Sequence, residues 1–259
     1  MIPYFEVHSF TDRIFHGNPA GVCLLETWLD DDLMLDIAAE NNLSETAFVV
    51  PRGNRYELRW FTPSVEVDLC GHATLATAYV LYEHLMYQDS AIVFDTKSGE
   101  LAAWKDEDFF VLDFPSRPAK SIDIPEHLSE GVGRDIESVF RARDILVVFD
   151  SENEVRDVEP DFAELEKIDC DGIIVTAPGD EVDFVSRFFA PRMGILEDPV
   201  TGAAHSTLTP FWTDRLDKNP LRSRQISERG GDLWCKQMDD RVFIAGRAAL
   251  YVKGFRNIE

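Results

Sequence analysis

Residues 68–76 read DLCGHATLA, from Asp68 through Cys70, Gly71 and His72 to Ala76. The stretch begins like the end of a strand and finishes like the start of a helix, "CGHATLATAYVLYEHL". A helix begins with unpaired N–H groups and a partial positive charge. A glycine at that point lets the backbone come close to a ligand. The turn is therefore a candidate cradle for a carboxylate or phosphate; its structural alternative is a cap that only turns the chain.

Working outward, the surroundings of this turn recur. Arg59-Trp60-Phe61-Thr62-Pro63 and Arg187-Phe188-Phe189-Ala190-Pro191 both read R-x-F-x-P. A β-like run precedes each, "YELRWF" and "DFVSRFF". An acidic residue follows each, Asp68 and Asp198, and then a glycine expected to open a helix, Gly71 and Gly202. The shared order of strand, proline, acid, glycine and helix indicates a duplicated half. Gly202-Ala203 then becomes a second candidate cradle, and the two cradles are expected to hold one small acidic molecule in a cleft between the halves.

The proline-rich stretch "FPSRPAKSIDIPEHL" holds Pro115, Pro118 and Pro125 and reads as the connection between halves. Strand-like runs dominate the rest, among them "YFEVHSF", "AGVCLLE", "TAFVV", "DILVVFD", "GIIVTAP" and "RVFIAGRAALYV". Helices are expected over about residues 31–41, after the two glycines and in "DFAELEKI". Many strands per helix, twice over, predict an α+β protein of two β-rich halves, each wrapped on one long helix.

The 259 residues, 45% of them hydrophobic, can build one large domain or two modest ones. The net charge of −23 excludes nucleic acid and anionic membrane surfaces as natural partners. No signal peptide or run of 18 apolar residues stands out. Cys23, Cys70, Cys170 and Cys235 are too few and too scattered for a disulfide framework. A cytoplasmic protein with reduced thiols is expected. No histidine spacing suggests a metal site, and no G-x-G-x-x-G or P-loop suggests a nucleotide.

Chemistry needs a proton carrier beside the cradles. Glu45, in "NNLSETAFVV", follows a helix and Ser44 and precedes the apolar run Ala47–Val50. A carboxyl against apolar surface suits general acid/base work, although an acid near an element end is also a common cap. His72 can bind substrate or carry protons, Cys70 can act as a thiol nucleophile or base, and Asp198 can cap its helix or face the ligand; each also has an ordinary structural role.

"FTDRIFHGNPAGVCLL", "NNLSETAFVV", "RWFTPSVEVDLCGHATLATAYVL", "RFFAPRMGILEDPVTGAAHS" and the late "GRA" resemble the phenazine-biosynthesis isomerase-like (PhzF-like) family over nearly the whole chain. The resemblance implies a diaminopimelate-epimerase-like fold of two pseudo-symmetric domains, each a curled, mainly antiparallel sheet around a central helix. It implies an N-terminal half of residues 1–116 with the last strand, 249–259, crossing back, and a C-terminal half of residues 117–248. It also implies a homodimer, no cofactor and no metal. By resemblance Glu45 is the proton shuttle of an isomerase acting on a small carboxylate-bearing, amino acid-like substrate. His72 and Asp198 are its polar partners, while Gly71, His72, Gly202, Ala203, Asn18 and Ser44 hold the substrate. Ala203 departs from the serine that the family often carries, which removes a hydroxyl bond of order ~1 kcal/mol. A cysteine–threonine pair, Cys70 with Thr201, resembles hydroxyproline dehydratases of the superfamily and supplies the alternative of a dehydratase or epimerase. A non-catalytic small-acid-binding protein is the third reading.

Overall fold

The computed structural model describes residues 1–258. Residues Met1–Phe114, with the segment from Phe243 onward, form one compact unit, and Pro115–Val242 form the other. The elements are β1 (Ile2–Ser9), β2 (Asn18–Leu24), α1 (Asp31–Asn41), β3 (Glu45–Arg52), β4 (Arg55–Phe61), β5 (Glu66–Val67), α2 (Gly71–His84), β6 (Ile92–Thr96), β7 (Gly99–Asp106) and β8 (Phe109–Pro115). They continue with β9 (Lys120–Ser121), α3 (Leu128–Val132), β10 (Ser138–Arg141), β11 (Ile145–Val148), α4 (Glu152–Arg156), α5 (Phe162–Leu165), β12 (Ile173–Pro178) and β13 (Phe184–Phe189). A 3-10 turn (Pro191–Met193), α6 (His205–Leu216), β14 (Leu221–Gln225), β15 (Gly231–Met238), β16 (Arg241–Gly246) and β17 (Ala248–Arg256) complete the chain.

In the first unit β1 lies between β17 and β2, antiparallel to both. The ladder continues through a parallel β2–β3 pair, an antiparallel β3–β4 pair, a parallel β4–β6 pair and antiparallel β6–β7 and β7–β8 pairs. β3 is buried from Glu45 to Val50 without alternation, as a strand covered on both faces must be. α2 is the reason: it packs against β1, β2, β3 and β7, and its buried residues run almost without a break from Gly71 to Leu81. A helix apolar all round belongs inside the sheet that encloses it. α1 buries Met34, Ile37 and Ala38, a single stripe, and ends on Asn42 in the left-handed conformation (φ 50°).

The second unit repeats the order. β9–β10 and β10–β11 are antiparallel, β11–β12 parallel, β12–β13 antiparallel, β13–β14 parallel and β14–β15 antiparallel. Both long helices occupy the same place, α2 between β4 and β6, α6 between β13 and β14. α6 buries Leu208 and Trp212 against Leu146, Val148, Ile174 and Phe184. Trp212 stacks on Phe184 at 5.7 Å and donates its Nε1–H to Thr176 Oγ1 at 3.0 Å. Pro210 sits inside α6 and cannot bond the Ser206 carbonyl, which instead accepts from the Arg117 N–H at 2.9 Å.

The R-x-F-x-P repeat has a structural role in each unit. Arg59 donates Nε and Nη2 to the two oxygens of Glu66 at 2.7 and 2.8 Å and lies 5.2 Å from the Phe61 ring. Arg187 does the same to Glu197 at 2.8 and 3.0 Å and lies 5.0 Å from Phe189. Arg59 thus ties its strand to β5, and Arg187 ties its strand to the loop that leads to Gly202. The duplicated acids are Glu66 and Glu197, not Asp68 and Asp198: Asp68 is exposed and touches Ser98 through its backbone carbonyl.

Two expectations are corrected. Gly202 does not open a helix directly; residues 202–204 form a tight turn, with His205 N–H bonding Gly202 O at 3.0 Å, and the helix starts at His205. "RVFIAGRAALYV" is two strands, β16 and β17, separated at Arg247. α3, α4 and β9 are too short to show a period, although Ser151 and Glu154 make a reciprocal cap on α4. Among the described residues, no helix is long and apolar enough to cross a membrane.

Arg187 is 13% exposed, and its Nη1 also donates to the Val158 carbonyl at 2.7 Å. Arg187→Met strands Glu197 and that carbonyl, with an expected loss of about 2–4 kcal/mol in denaturant unfolding. The double variant Arg187→Met/Glu197→Met is expected to recover part of it.

Candidate active site

The register of three strands builds the site in the first unit. Ser9 at the end of β1 faces Asn18 at the start of β2, and Ala20 of β2 faces Glu45 at the start of β3. These positions collect at one end of the sheet, beside the first turn of α2. His72 is 3% exposed, Asn18 is fully buried, Cys70 is 5% exposed and Glu45 is 9% exposed.

Hydrogen bonds fix the ring. An amide nitrogen only donates, so Asn18 Nδ2, 3.2 Å from His72 Nδ1, makes that nitrogen an acceptor. The ring proton then sits on Nε2, which faces Glu45 Oε2 at 3.2 Å. Cys70 Sγ lies 3.5 Å from Nδ1. Burial pushes the His72 pKa down to about 3. His72 is therefore held neutral, with Nε2 beside the Glu45 carboxyl. Ser9 Oγ donates to the His72 carbonyl at 2.7 Å. The Cys70 carbonyl accepts from Thr74 Oγ1 at 2.5 Å and from the Thr74 N–H. Because a peptide's N–H and C=O point in opposite directions, pinning this carbonyl toward the helix aims the Gly71 N–H away from it.

The turn of the second unit uses the same position with another side chain. His205, four residues after Thr201 as Thr74 is after Cys70, donates Nδ1–H to the Thr201 carbonyl at 2.9 Å. Its Nε2 accepts from Ser223 Oγ at 3.0 Å. Burial lowers the His205 pKa to about 4, against the raising effect of the Thr201 carbonyl. Asp198 is 7% exposed, and its Oδ2 accepts from Thr201 Oγ1 at 2.5 Å. Gln225 brackets the turn: its Nε2 donates to the Asp198 carbonyl at 2.6 Å and its Oε1 accepts from the Thr201 N–H at 2.8 Å. Gly202 is buried and Ala203 half-buried.

Within the first unit, then, Glu45, His72, Asn18 and Gly71 come together with Cys70. Within the second, Asp198, Gly202 and Ala203 share one turn with Thr201. Ser44 is half-buried in the bend before β3. Sequence reading missed Ser9, Thr74, His205 and Gln225 as supports. His205 and Thr74 carried a signal, since both stand three residues after their glycine. Ser9 and Gln225 carried none, because strand register alone brings them in. Asn41 Nδ2 also donates to Thr46 Oγ1 at 3.1 Å, and Arg256 from the last strand bonds Asn41 Oδ1 at 2.7 Å. The neighbour of Glu45 is thereby tied to the chain's far end.

A mixed sheet enclosing a helix, repeated once, with a buried carboxyl and imidazole at the first helix's start, defines a diaminopimelate-epimerase-like fold. The profile of phenazine biosynthesis-like proteins matches residues 7–254, and the chain belongs to that family. An uncharacterized isomerase of Pseudomonas aeruginosa is 49% identical over 250 residues, 96% of each chain. The crystal structure of a PhzF-family protein from Enterococcus faecalis is 46% identical and superimposes with a TM-score of 0.94 over 98% of each chain. A hydroxyproline epimerase from Agrobacterium vitis shares the fold at 12% identity, with a TM-score of 0.65 over 98% of this chain and 91% of that one.

The folded pKa of His205 lies below the 6.5 of an ordinary histidine. The unfolded chain therefore gains a proton that the folded one refuses, and the stability tied to this group is complete above about pH 6.5 and lost as pH falls toward 4. In that window its contribution to the slope is expected to reach ~1.4 kcal/mol per pH unit. Urea unfolding across the window should show a slope smaller by that amount in His205→Gln.

Proposed function

We propose that the chain is a cofactor-independent isomerase that moves a proton on a small, carboxylate-bearing, amino acid-like substrate, with Glu45 as general acid and base. The observation that carries this reading is the contact from His72 Nε2 to Glu45 Oε2, 3.2 Å, made at the start of a helix inside a buried pocket of side chains. The names of relatives as isomerases support it.

In this reading the Glu45 carboxylate takes a proton from a substrate carbon. The C–H electron pair forms a new double bond, the existing double bond shifts by one position, and Glu45 returns the proton at its far end. His72, held neutral, stands against the carboxyl and keeps it oriented. The Gly71 N–H is assigned to a substrate carboxylate, and the Gly202 and Ala203 amides are assigned the same kind of binding role in their own unit. Asp198 is assigned to the substrate's polar edge, and Asn18 and Ser44 to its neighbours. Cytoplasmic location and pairing into a homodimer belong to the same proposal; sedimentation reads the second.

A second reading has its own observation. Cys70 Sγ stands beside His72 Nδ1, and the Thr201 hydroxyl is held by Asp198 Oδ2. Cys70 and Thr201 are the residues that a dehydratase or epimerase reading would use.

Small cyclic and acyclic amino acids screened in heavy water separate the readings. Glu45→Gln is expected to lower deuterium uptake into substrate by about 10²–10⁴-fold, with Cys70→Ala retaining most of it. An active Glu45→Gln beside a dead Cys70→Ala transfers the chemistry to the thiol. Affinity for a small acid without exchange in any candidate leaves a binding protein.

A further inference from the structure

The side chains at the start of α2 have a second chemistry. Glu45, Cys70 and His72 each offer one ligand atom, and these atoms lie within 4.8 Å of one another, all three residues being buried. A sulfur, a ring nitrogen and a carboxylate oxygen are the mixed set favoured by Zn²⁺ and similar ions, whereas Mg²⁺ and Ca²⁺ take oxygen. In a tetrahedral zinc site neighbouring ligand atoms stand roughly 3.3–3.6 Å apart. The 3.2 Å from Nε2 to Oε2 is close to that spacing already, and the three ligand atoms as a set lie within 4.8 Å. Three protein ligands leave a fourth position open. The cluster of His127, Glu130 and Glu164 contains no sulfur and is partly exposed, with Glu164 already bonded to His127 and Lys167, so it has no comparable selectivity.

We infer that Cys70 Sγ, His72 Nε2 and a Glu45 oxygen bind a thiophilic divalent cation of the zinc type, and that the bound ion silences the proton transfer. The binding half stands on the geometry alone; the silencing half rests on the function proposed for Glu45. The Cys70 S–H bond breaks as the S–metal bond forms, and its proton leaves to buffer. A neutral imidazole has one ring proton, so coordination through Nε2 moves that proton to Nδ1. Nδ1 then needs an acceptor, and the Asn18 amide must turn over to present Oδ1 in place of Nδ2. Asn18 becomes the second-layer partner that fixes the tautomer of the coordinating ring. Occupied in this way, the carboxyl oxygen is no longer free to take a proton from carbon. The chain's net charge of −23 favours cations generally, and the sulfur supplies the selectivity.

Cadmium titrated into the metal-free full chain tests the site, because a cadmium–thiolate bond absorbs in the ultraviolet. One saturable equivalent of this band is expected, and zinc should remove it by competition. Cys70→Ser should abolish the band. Cys170→Ser should keep it, as should the native Cys23 and Cys235, which are buried with thiols pushed up to about 12 and so do not supply it. Asn18→Leu and Glu45→Gln should retain the band with affinity weakened by about 10–100-fold. A band that survives in Cys70→Ser, or the lack of a saturable band in the wild type, overturns the site. If Cys70→Ser fails to fold, His72→Gln replaces it, with a loss of affinity of at least the Asn18→Leu size expected and an unchanged affinity contrary. Zinc at one equivalent should stop hydrogen exchange into substrate, and a chelator should restore it; exchange that continues on the filled site overturns the silencing. A normal cadmium titration with a fully active Glu45→Gln removes the proposed function and leaves the metal site standing.

Discussion

The α2 helix is enclosed, with β1, β2, β3 and β7 packed about it and buried residues from Gly71 to Leu81. Burying backbone is tolerable there because every interior N–H and C=O is bonded within the helix. The first turn is the exception, since its N–H groups have no intrahelical acceptor. An enclosed helix can therefore offer backbone N–H donors to a ligand only at its start. The sheet end that surrounds that start holds Ser9, Asn18 and Glu45, and it is the place where a buried carboxyl meets a fixed imidazole.

The duplication shows how one scaffold carries two different turns. Arg59–Glu66 and Arg187–Glu197 preserve the tie between the strand and the segment that follows it. Thr74 and His205 preserve the bond to the carbonyl ahead of the glycine. What differs is the pair of residues that flank each glycine: Cys70 and His72 in the first unit, Thr201 and Ala203 in the second. Supports are kept and chemistry diverges. The first turn gained a ring and a thiol, while the second turn gained a hydroxyl locked to Asp198 and bracketed by Gln225.

The same burial makes the polar chain at the first turn unambiguous in direction. A half-exposed histidine would exchange tautomers and partners with water. His72 cannot, because desolvation disfavours its charged form and Asn18 supplies a donor to one nitrogen. The remaining proton then sits on Nε2, 3.2 Å from the Glu45 carboxyl. The same buried place gathers a sulfur, a ring nitrogen and a carboxylate oxygen within 4.8 Å of one another.

Much of this was legible from residues alone. Local patterns determined the enclosed helix after Gly71, the short helix 31–41, the strand-rich halves and the repeat itself, because apolar period, glycine and proline act over a few neighbours. The identity of Glu45 and His72 as partners followed only from resemblance, since 26 positions separate them and no local pattern links them. The tertiary structure alone decided which acid the repeated arginine holds, where α6 begins, and that Ser9, Asn18 and Glu45 share one end of the sheet. Those facts depend on strand register and on which carbonyls remain unbonded, and a register is set by pairing between distant segments, not by the segment that carries the residue.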